Sequence, residues 1–277
     1  TIEKATGVRT VNLAIHGAFP LAYIVEYTKT ILRPGDVVLM LLEYEYYWAG
    51  TADIAWFPNN SMAWEEEYFW GLSASGKLRF IGSVPAKRIL NGVIAGLYAR
   101  RLRSLYGRAV RKPELVVAEA REVWEKRLYA HGPFAYSLRG VNEYGDLQNN
   151  RGRTYEDEFA SILVIPFPYS RTVWDVLAGF LGYCDRRGIE LLLGWPATVR
   201  NPHLEAHMGT VRQHMEEIAD RVRAIKLRTL GTPGDFILDK RYFFNTNYHL
   251  NEEGRRIRTE KMLPPLRREL SKGSGSQ

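Results

Sequence analysis

The apolar run at residues 37–42 constrains the fold of this chain more than any other segment. The run, VVLMLL, has the length of one strand and no alternation, which is typical of a strand buried on both faces of a parallel sheet. Before it, apolar residues recur at helical spacing over residues 19–32, and Pro34 and Gly35 end that helix. A short strand is predicted at residues 9–14. Together these segments predict a βαβ unit with a right-handed crossover.

The alternation of apolar strands and helices resumes in the second half of the chain. The segments predicted there are strands at 161–166 and 189–194, helices at 170–187 and about 202–224, and a last extended segment at 226–230 or 235–238. This alternation is typical of an α/β fold with a parallel sheet. We expect one domain over residues 1–270, with a helical, aromatic-rich insertion at about 48–155 and a flexible tail at 271–277.

The expected insertion combines aromatic and basic residues. Its tryptophans either line a groove for carbohydrate or an acyl chain or form a cap on the core, and we favour the cap; they are Trp48, Trp56, Trp64 and Trp70. A basic amphipathic helix at 84–111 either lies on an anionic surface or docks on the protein. We favour docking through one apolar side, formed by Ile89, Val93, Leu97 and Leu105. A solvated helix at 113–129 and a long segment at 130–155, expected to flank the cleft, follow.

The charge balance of the chain limits the classes of partner that it can bind. The net charge is +7 and the pI is about 9.4, which invites nucleic acid or an anionic membrane as a partner. The basic residues concentrate at 87–112 and 255–268, and no helix-turn-helix, zinc-finger or RNP-type pattern surrounds them. We therefore expect no nucleic-acid partner, whereas peripheral association with a membrane or a membrane protein stays compatible with the sequence. The oligomeric state stays open.

The cellular compartment is not determined by the sequence. Cys184 is the single cysteine, so an intrachain disulfide is excluded. No apolar run reaches the roughly 18–20 residues that a membrane span needs. The chain starts at Thr1 without an initiator methionine, and residues 271–277 resemble a linker. A bacterial periplasmic or membrane-associated location is expected if a signal or anchor precedes Thr1.

A histidine near the end of the chain is the main candidate for chemistry. In residues 243–259, FFNTNYHLNEEGRRIRT, His249 follows a strand-like run and a polar turn. Asn251 then has the place of a helix N-cap, with Glu252 and Glu253 in the first turn of the helix. A histidine in this position is aimed at solvent or a cleft and suits a general base, although a surface or capping role fits the same spacing.

Two carboxylates follow the central strand directly. Glu43 and Glu45 come after the run at 37–42, at the carboxyl edge of the predicted sheet, where open α/β folds bind ligands. They either take part in a ligand site or form a rim that pairs with basic side chains, and the sequence leaves both interpretations open.

Three further histidines raise the question of a metal. His203, His207 and His214 fall on one face of the helix predicted at 202–224, and His-x-x-x-His is a metal-binding spacing. The glutamate of the His-Glu-x-x-His motif is missing, and Glu217 is the only local candidate for a further ligand. We therefore expect no metal site and no cofactor.

Residues 8–45 and 243–259 together resemble bacterial SGNH/GDSL-type hydrolase-like proteins, including those associated with O-acylation of cell-surface polysaccharides. The resemblance implies a three-layer α/β sandwich with a mainly parallel central sheet, similar to flavodoxin. It also implies an ester hydrolase or acyltransferase that uses a serine, a histidine and an acid on an acylated carbohydrate or small ester. His249 would be the general base, and Gly17 would match the glycine whose backbone N–H helps to stabilise the oxyanion.

The sequence departs from this family in three places. The nucleophile block, which should precede Thr1, has no counterpart in the sequence. Asn245 and Asn247 stand where the family has the acid before the histidine, and either could orient an imidazole without stabilising its charge. Glu43 or Glu45 stands where the family has an asparagine that stabilises the oxyanion. The alternative is a non-catalytic relative that binds a polysaccharide or an assembly partner.

Overall fold

The computed structural model describes residues 2–13, 19–48, 66–106, 118, 162–165, 168–244 and 246–273. Several sequence predictions lie outside these residues, namely those for Gly17, Asn245, Trp56, Trp64, the helix at 113–129 apart from Ala118, and the segment at 130–155. The described part has a mixed α/β fold with short parallel sheets and a larger share of helix.

Five short strands form two parallel sheets. The strands are β1 (Val37–Leu41), β2 (Glu190–Gly194), β3 (Thr198–Arg200), β4 (Arg228–Leu230) and β5 (Ile237–Asp239). The larger sheet has the order β1-β2-β4, with Val37 paired to Glu190 and Gly194 paired to Leu230. β3 and β5 pair separately. All neighbours are parallel, so the carboxyl ends of β1, β2 and β4 lie at one edge of the larger sheet.

The helices begin and end largely where capping and apolar periodicity predict. They are α1 (Ile2–Thr6), α2 (Leu21–Lys29), α3 (Glu66–Gly71), α4 (Ala74–Ser83), α5 (Ala86–Tyr106), α6 (Arg171–Arg186), α7 (Pro202–Ala206), α8 (Met208–Ala224) and α9 (Glu252–Gly273). Side-chain oxygens of Ser170, Asn201 and Asn251 accept N–H groups in the first turns of α6, α7 and α9. Each cap satisfies a donor that the helix leaves without an internal partner.

Both faces of the larger sheet are covered by helices. Leu191 and Leu193 belong to a buried cluster with Leu177 of α6 and Ile218 of α8. Leu192, which points to the opposite face because side chains alternate along a strand, clusters instead with Leu266 of α9 and Leu230. The apolar character of β2 on both faces is therefore accounted for by burial on both sides.

The strands predicted at 37–42 and 189–194 are confirmed as β1 and β2, and both alternatives for the last extended segment form strands, β4 and β5. The strand predicted at 9–14 is wrong for residues 9–13, which form no strand. There the Thr10 N–H donates to the Glu3 carboxylate (3.0 Å), and Val11 is 68% exposed, so the segment neither pairs nor packs as a strand.

Two other predicted elements differ in the structure. Instead of a strand at 161–166, Ile162–Val164 form one 3₁₀ turn whose Leu163 is fully buried. A short apolar run satisfies either geometry, and packing against α8 decides between them. The single helix predicted at 202–224 is broken at His207, which has φ −118° and ψ 22°, so α7 and α8 are separate.

The docking side predicted for the basic helix is wrong at Val93 and Leu97, whereas Ile89 is half-buried and the side chain of Leu105 lies outside the described part of the chain. In α5, Leu97 is 57% exposed and Val93 is 36% exposed, whereas Gly92 and Gly96 are buried. Glycine has no side chain beyond a hydrogen atom, so the helix backbone can approach its neighbours closely on that side. The protein-facing side of α5 is therefore the one with the least side-chain bulk.

The aromatic cap predicted for the tryptophans is supported in part. Trp48 is buried and stacks on Tyr169, with the two ring centroids 5.9 Å apart. Trp70, in contrast, is exposed at the end of α3. The cap therefore holds for the tryptophan next to the sheet and not for the one on the helix.

Candidate functional site

The carboxyl end of β1 leads into a tyrosine-rich turn that carries both candidate glutamates. The 3₁₀ turn Tyr44–Tyr47 follows Glu43, and it buries Tyr44 and Tyr47 completely while Glu43 and Glu45 stay half-buried. The Tyr46 hydroxyl donates a hydrogen bond to the Phe19 carbonyl (2.9 Å), which ties the turn to the start of α2. The two carboxylates are thus held between the core and the surface at the carboxyl edge of the sheet.

Burial changes the protonation of both glutamates. Desolvation raises the pKa of Glu43 to about 7, and the negative charge of Glu45 adds to the rise. Desolvation also raises the pKa of Glu45, but the neighbouring Tyr248 hydroxyl opposes that rise. Near neutral pH, Glu43 therefore exchanges a proton readily, which is the property required of a general acid or base.

The segment that carries His249 contacts this turn through Tyr248. The Tyr248 hydroxyl lies close enough to the Glu45 carboxylate to interact with it, and burial together with the charges of Glu45 and Glu43 raises the Tyr248 pKa. The Thr246 Oγ1 accepts the N–H groups of Tyr248 (3.3 Å) and His249 (3.1 Å). The histidine segment is therefore held against the carboxyl end of β1, although the two lie far apart in the sequence.

A short antiparallel pairing of the backbone holds His249 itself. The Phe244 N–H donates to the His249 carbonyl (2.7 Å), and Phe243 bridges Leu250 across the turn. The His249 side chain is half-buried, and this burial lowers its pKa. A lowered pKa keeps the imidazole neutral at neutral pH, and the neutral form is the one that can accept a proton. Asn247 is half-buried in the same turn.

The chain matches no known family. No protein-family model, no curated protein and no solved structure is significantly similar to it. The site therefore has to be interpreted from its own residues. Of the predicted site residues, the structure brings the Glu43–Glu45 turn and the His249 segment into contact, while Gly17 and Asn245 lie outside the described part of the chain.

A half-buried arginine lies at the same edge of the sheet and was missed by the sequence reasoning. Arg258 of α9 donates from Nη2 to the Trp195 carbonyl (3.0 Å), just beyond the carboxyl end of β2. The Trp195 Nε1–H in turn donates to the Gly231 carbonyl (3.0 Å), just beyond β4. Burial lowers the Arg258 pKa to about 10, so the guanidinium remains charged at neutral pH. Within the described residues, no carboxylate forms an ion pair with it.

Tyr248 was also missed, although a signal for it existed. It stands directly before His249, and the segment at 43–48, EYEYYW, contains carboxylates and tyrosines together. Arg258 had no comparable signal, because it lies in a helix with many basic residues and only the tertiary packing distinguishes it from the others.

The three histidines considered as metal ligands, His203, His207 and His214, do not gather around a common point. The rings of His203 and His207 contact each other, with their centroids 4.8 Å apart. His214 lies on α8, where its Nδ1 is 2.6 Å from the Leu163 carbonyl oxygen and its ring meets Trp48 edge-on. Among the described residues, no group of three or more His, Cys, Asp or Glu side chains is arranged to hold a metal ion.

Proposed function

We propose that this chain is an ester hydrolase or acyltransferase of the SGNH/GDSL-like type, acting on an acylated cell-surface carbohydrate or a small ester. The observation that carries the proposal is the interaction between Tyr248 and Glu45, because it brings the His249 segment to the carboxyl edge of a parallel sheet. Ligands of open α/β folds bind at this edge. A three-layer sandwich is the proposed fold, supported by the helices that pack on both faces of β2.

In the proposed reaction, His249 accepts the proton of a nucleophilic serine and later returns it to the leaving group. Its lowered pKa suits the first step, since the imidazole is neutral before attack. The proposal requires the serine to come from a segment before Thr1, where the resembling family has it. Tyr248 is a positioning residue that acts through the turn, and Arg258 supplies positive charge near the ends of β2 and β4.

Glu43 limits the conditions under which this chemistry can run. An ionised carboxylate repels the oxyanion of an acyl-transfer intermediate, whereas a protonated carboxyl can donate a hydrogen bond to it. With a pKa raised to about 7, Glu43 is protonated on the acid side of neutrality. His249 needs the opposite, because it must be neutral. The proposed activity is therefore highest between the two pKa values, with a bell-shaped pH dependence.

A non-catalytic function is the second candidate, and the two glutamates favour it. Paired carboxyl groups beside tyrosine hydroxyls suit the hydroxyl groups of a sugar, and they occupy the place of the asparagine that the family uses on the oxyanion. In that case the same site binds polysaccharide, or a partner in its assembly, without turnover.

The proposal is tested by esterase turnover of p-nitrophenyl acetate by the full-length protein, with His207→Ala as a matched control for His249→Ala. His207 is exposed and outside the site, so its loss should leave kcat unchanged. The His249 variant should lose about 10²–10⁴ in kcat. Tyr248→Phe should lower kcat less and shift the alkaline limb of the pH profile, because Tyr248 acts on Glu45, whose charge in turn raises the pKa of Glu43.

Equal turnover by the two histidine variants would refute catalysis by His249. Labelling of the full-length protein by a fluorophosphonate, together with mapping of the labelled serine, tests the nucleophile. If the protein neither turns over ester nor labels, yet binds polysaccharide equally well before and after His249→Ala, the non-catalytic function replaces the enzymatic one.

A further inference from the structure

Helices α3 to α5 expose an unusual amount of apolar side chain. Of the fifteen large hydrophobic residues that are exposed among the described residues, eight lie between positions 70 and 98. They are Trp70, Leu78, Ile81, Leu90, Val93, Ile94, Leu97 and Tyr98. Single exposed apolar residues are common on any surface, but a contiguous group marks a binding surface.

The orientation of α5 concentrates this group into a stripe. Leu90, Ile94, Leu97 and Tyr98 follow the i, i+4, i+7, i+8 spacing of one helix face, and they are between 55% and 67% exposed. Gly92 and Gly96, on the opposite face, are buried. The helix thus packs on the protein through its glycines and directs its large apolar residues outward. A soluble surface helix normally has the reverse arrangement.

The charge of the same region has one sign. Residues 68–113 contain no aspartate or glutamate, but they contain ten basic residues, namely Lys77, Arg79, Lys87, Arg88, Arg100, Arg101, Arg103, Arg108, Arg111 and Lys112. Since the whole chain has a net charge of +7, the remainder of the chain is net negative. The positive charge of this protein therefore belongs to the region that also exposes the apolar stripe.

A lysine and a tryptophan contact each other on α4 and α3, the two helices that precede α5. The Lys77 ammonium lies 5.6 Å from the Trp70 ring centroid, and the Trp70 side chain is 62% exposed. Tryptophan, tyrosine and basic residues are the side chains that favour the boundary between lipid headgroups and acyl chains. Within the described residues, no helix is long and apolar enough to cross a membrane. The stripe on α5 has the character of a helix that lies in the plane of the boundary.

We propose that the exposed face of α5 binds the surface of a membrane that contains anionic lipid. The leucine and isoleucine side chains of α5 insert between the headgroups, and Lys87 and Arg101 on the same side of the helix contact the lipid phosphates. A nucleic acid would use the charge but not the aliphatic stripe, and a protein partner would not need a charge of one sign. This inference does not depend on the proposed ester chemistry.

The test is sedimentation of the full chain with vesicles of phosphatidylcholine alone and of phosphatidylcholine mixed with phosphatidylglycerol. We expect binding to the anionic vesicles, weakened by salt because the lysines and arginines act through screened charges. Leu90→Gln combined with Ile94→Gln should lower the partition coefficient by about tenfold or more, since two apolar side chains lose their insertion. Lys87→Gln combined with Arg101→Gln should lower it by about thirty-fold, at about 1 kcal/mol for each charge.

Matched variants control for hydrophobicity and charge. Val11 and Ile31 are exposed apolar residues outside the surface, and Arg212 and Lys261 are exposed basic residues outside it. Replacing either pair with glutamine should leave partitioning within about twofold of the wild type. Because all the exchanged side chains are exposed, the thermal midpoints should be unchanged, so a loss of binding cannot be explained by unfolding.

Three results would overturn the proposal. The first is no binding to anionic vesicles, whether or not the exchange of Leu90 and Ile94 changes the self-association of the chain. The second is equal binding to neutral and anionic vesicles, which would remove the part assigned to the basic residues. The third is a control pair that weakens binding as much as the pairs on α5.

Discussion

Replacing Gly254 with alanine should test how tightly α9 is packed against the segment that carries His249. A Cβ at Gly254 would overlap the Tyr242 carbonyl oxygen, and it would lie 3.0 Å from both the Tyr242 Cβ and the Leu250 Cδ2. The Tyr242 carbonyl also accepts the Asn251 N–H (2.9 Å). The first turn of α9 must therefore move away from the turn or break this hydrogen bond.

The expected loss of stability follows from these contacts. Overpacking of this kind costs about 1–3 kcal/mol, and a weakened backbone hydrogen bond costs about 0.5–1.5 kcal/mol. Alanine recovers up to about 1 kcal/mol through its better helix propensity. The net destabilisation is about 2 kcal/mol, which corresponds to a fall in Tm of roughly 4–8 °C for a chain of this size.

Gly209→Ala is the matched control, because Gly209 is also in the first turn of a helix, α8, and a Cβ there meets nothing within 4 Å. Neither glycine has a positive φ, so alanine is free of backbone strain at both positions. The control should be neutral or stabilising by up to about 1 kcal/mol. Urea unfolding followed by tryptophan fluorescence measures both variants, with an unchanged m-value as the sign of an intact two-state transition. Equal stabilities of the two variants, within about 0.5 kcal/mol, would refute the close packing of α9 on Tyr242.

Two further predictions concern stability. Glu43→Gln should remove a pH dependence of the free energy of unfolding. The folded pKa of about 7 lies above the ordinary value of 4.5, so the folded protein retains a proton on Glu43 between these values. The stability of the wild type therefore falls as pH rises through this range, by up to about 1.4 kcal/mol per pH unit. Urea unfolding from about pH 5 to pH 8 should show this slope for the wild type and a flatter one for the variant, and parallel profiles would contradict the raised pKa. Asn201→Ala should destabilise the protein by about 1–2 kcal/mol, because Asn201 is a buried cap whose Oδ1 accepts the Leu204 N–H (2.8 Å). Ser73→Ala removes an exposed cap from α4 and should cost less than about 1 kcal/mol. A larger loss of stability at Ser73 than at Asn201 in the same assay would contradict the idea that burial makes the Asn201 cap more important.

Much of the local structure could be predicted because its causes lie close together in the sequence. Asn251 caps α9 as predicted, through a hydrogen bond to the Gly254 N–H three residues later. Gly7 ends α1 with φ +72°, a conformation that glycine adopts without strain. The candidate site could be predicted in part: the two glutamates were expected at the carboxyl edge of the sheet, but the tyrosine that joins them to the histidine segment was not.

The sequence by itself determined the apolar strands β1 and β2 and the capped start of α9, since periodicity, caps and breakers act over a few residues. Only the tertiary structure decided that residues 9–13 stay unpaired, that α5 directs its large apolar side chains outward, and that Tyr248 reaches Glu45. These outcomes depend on which surfaces compete for burial and on contacts between residues far apart in the chain. The raised pKa of Glu43 has the same origin, because desolvation is a property of the packed surroundings and leaves no mark in the local sequence.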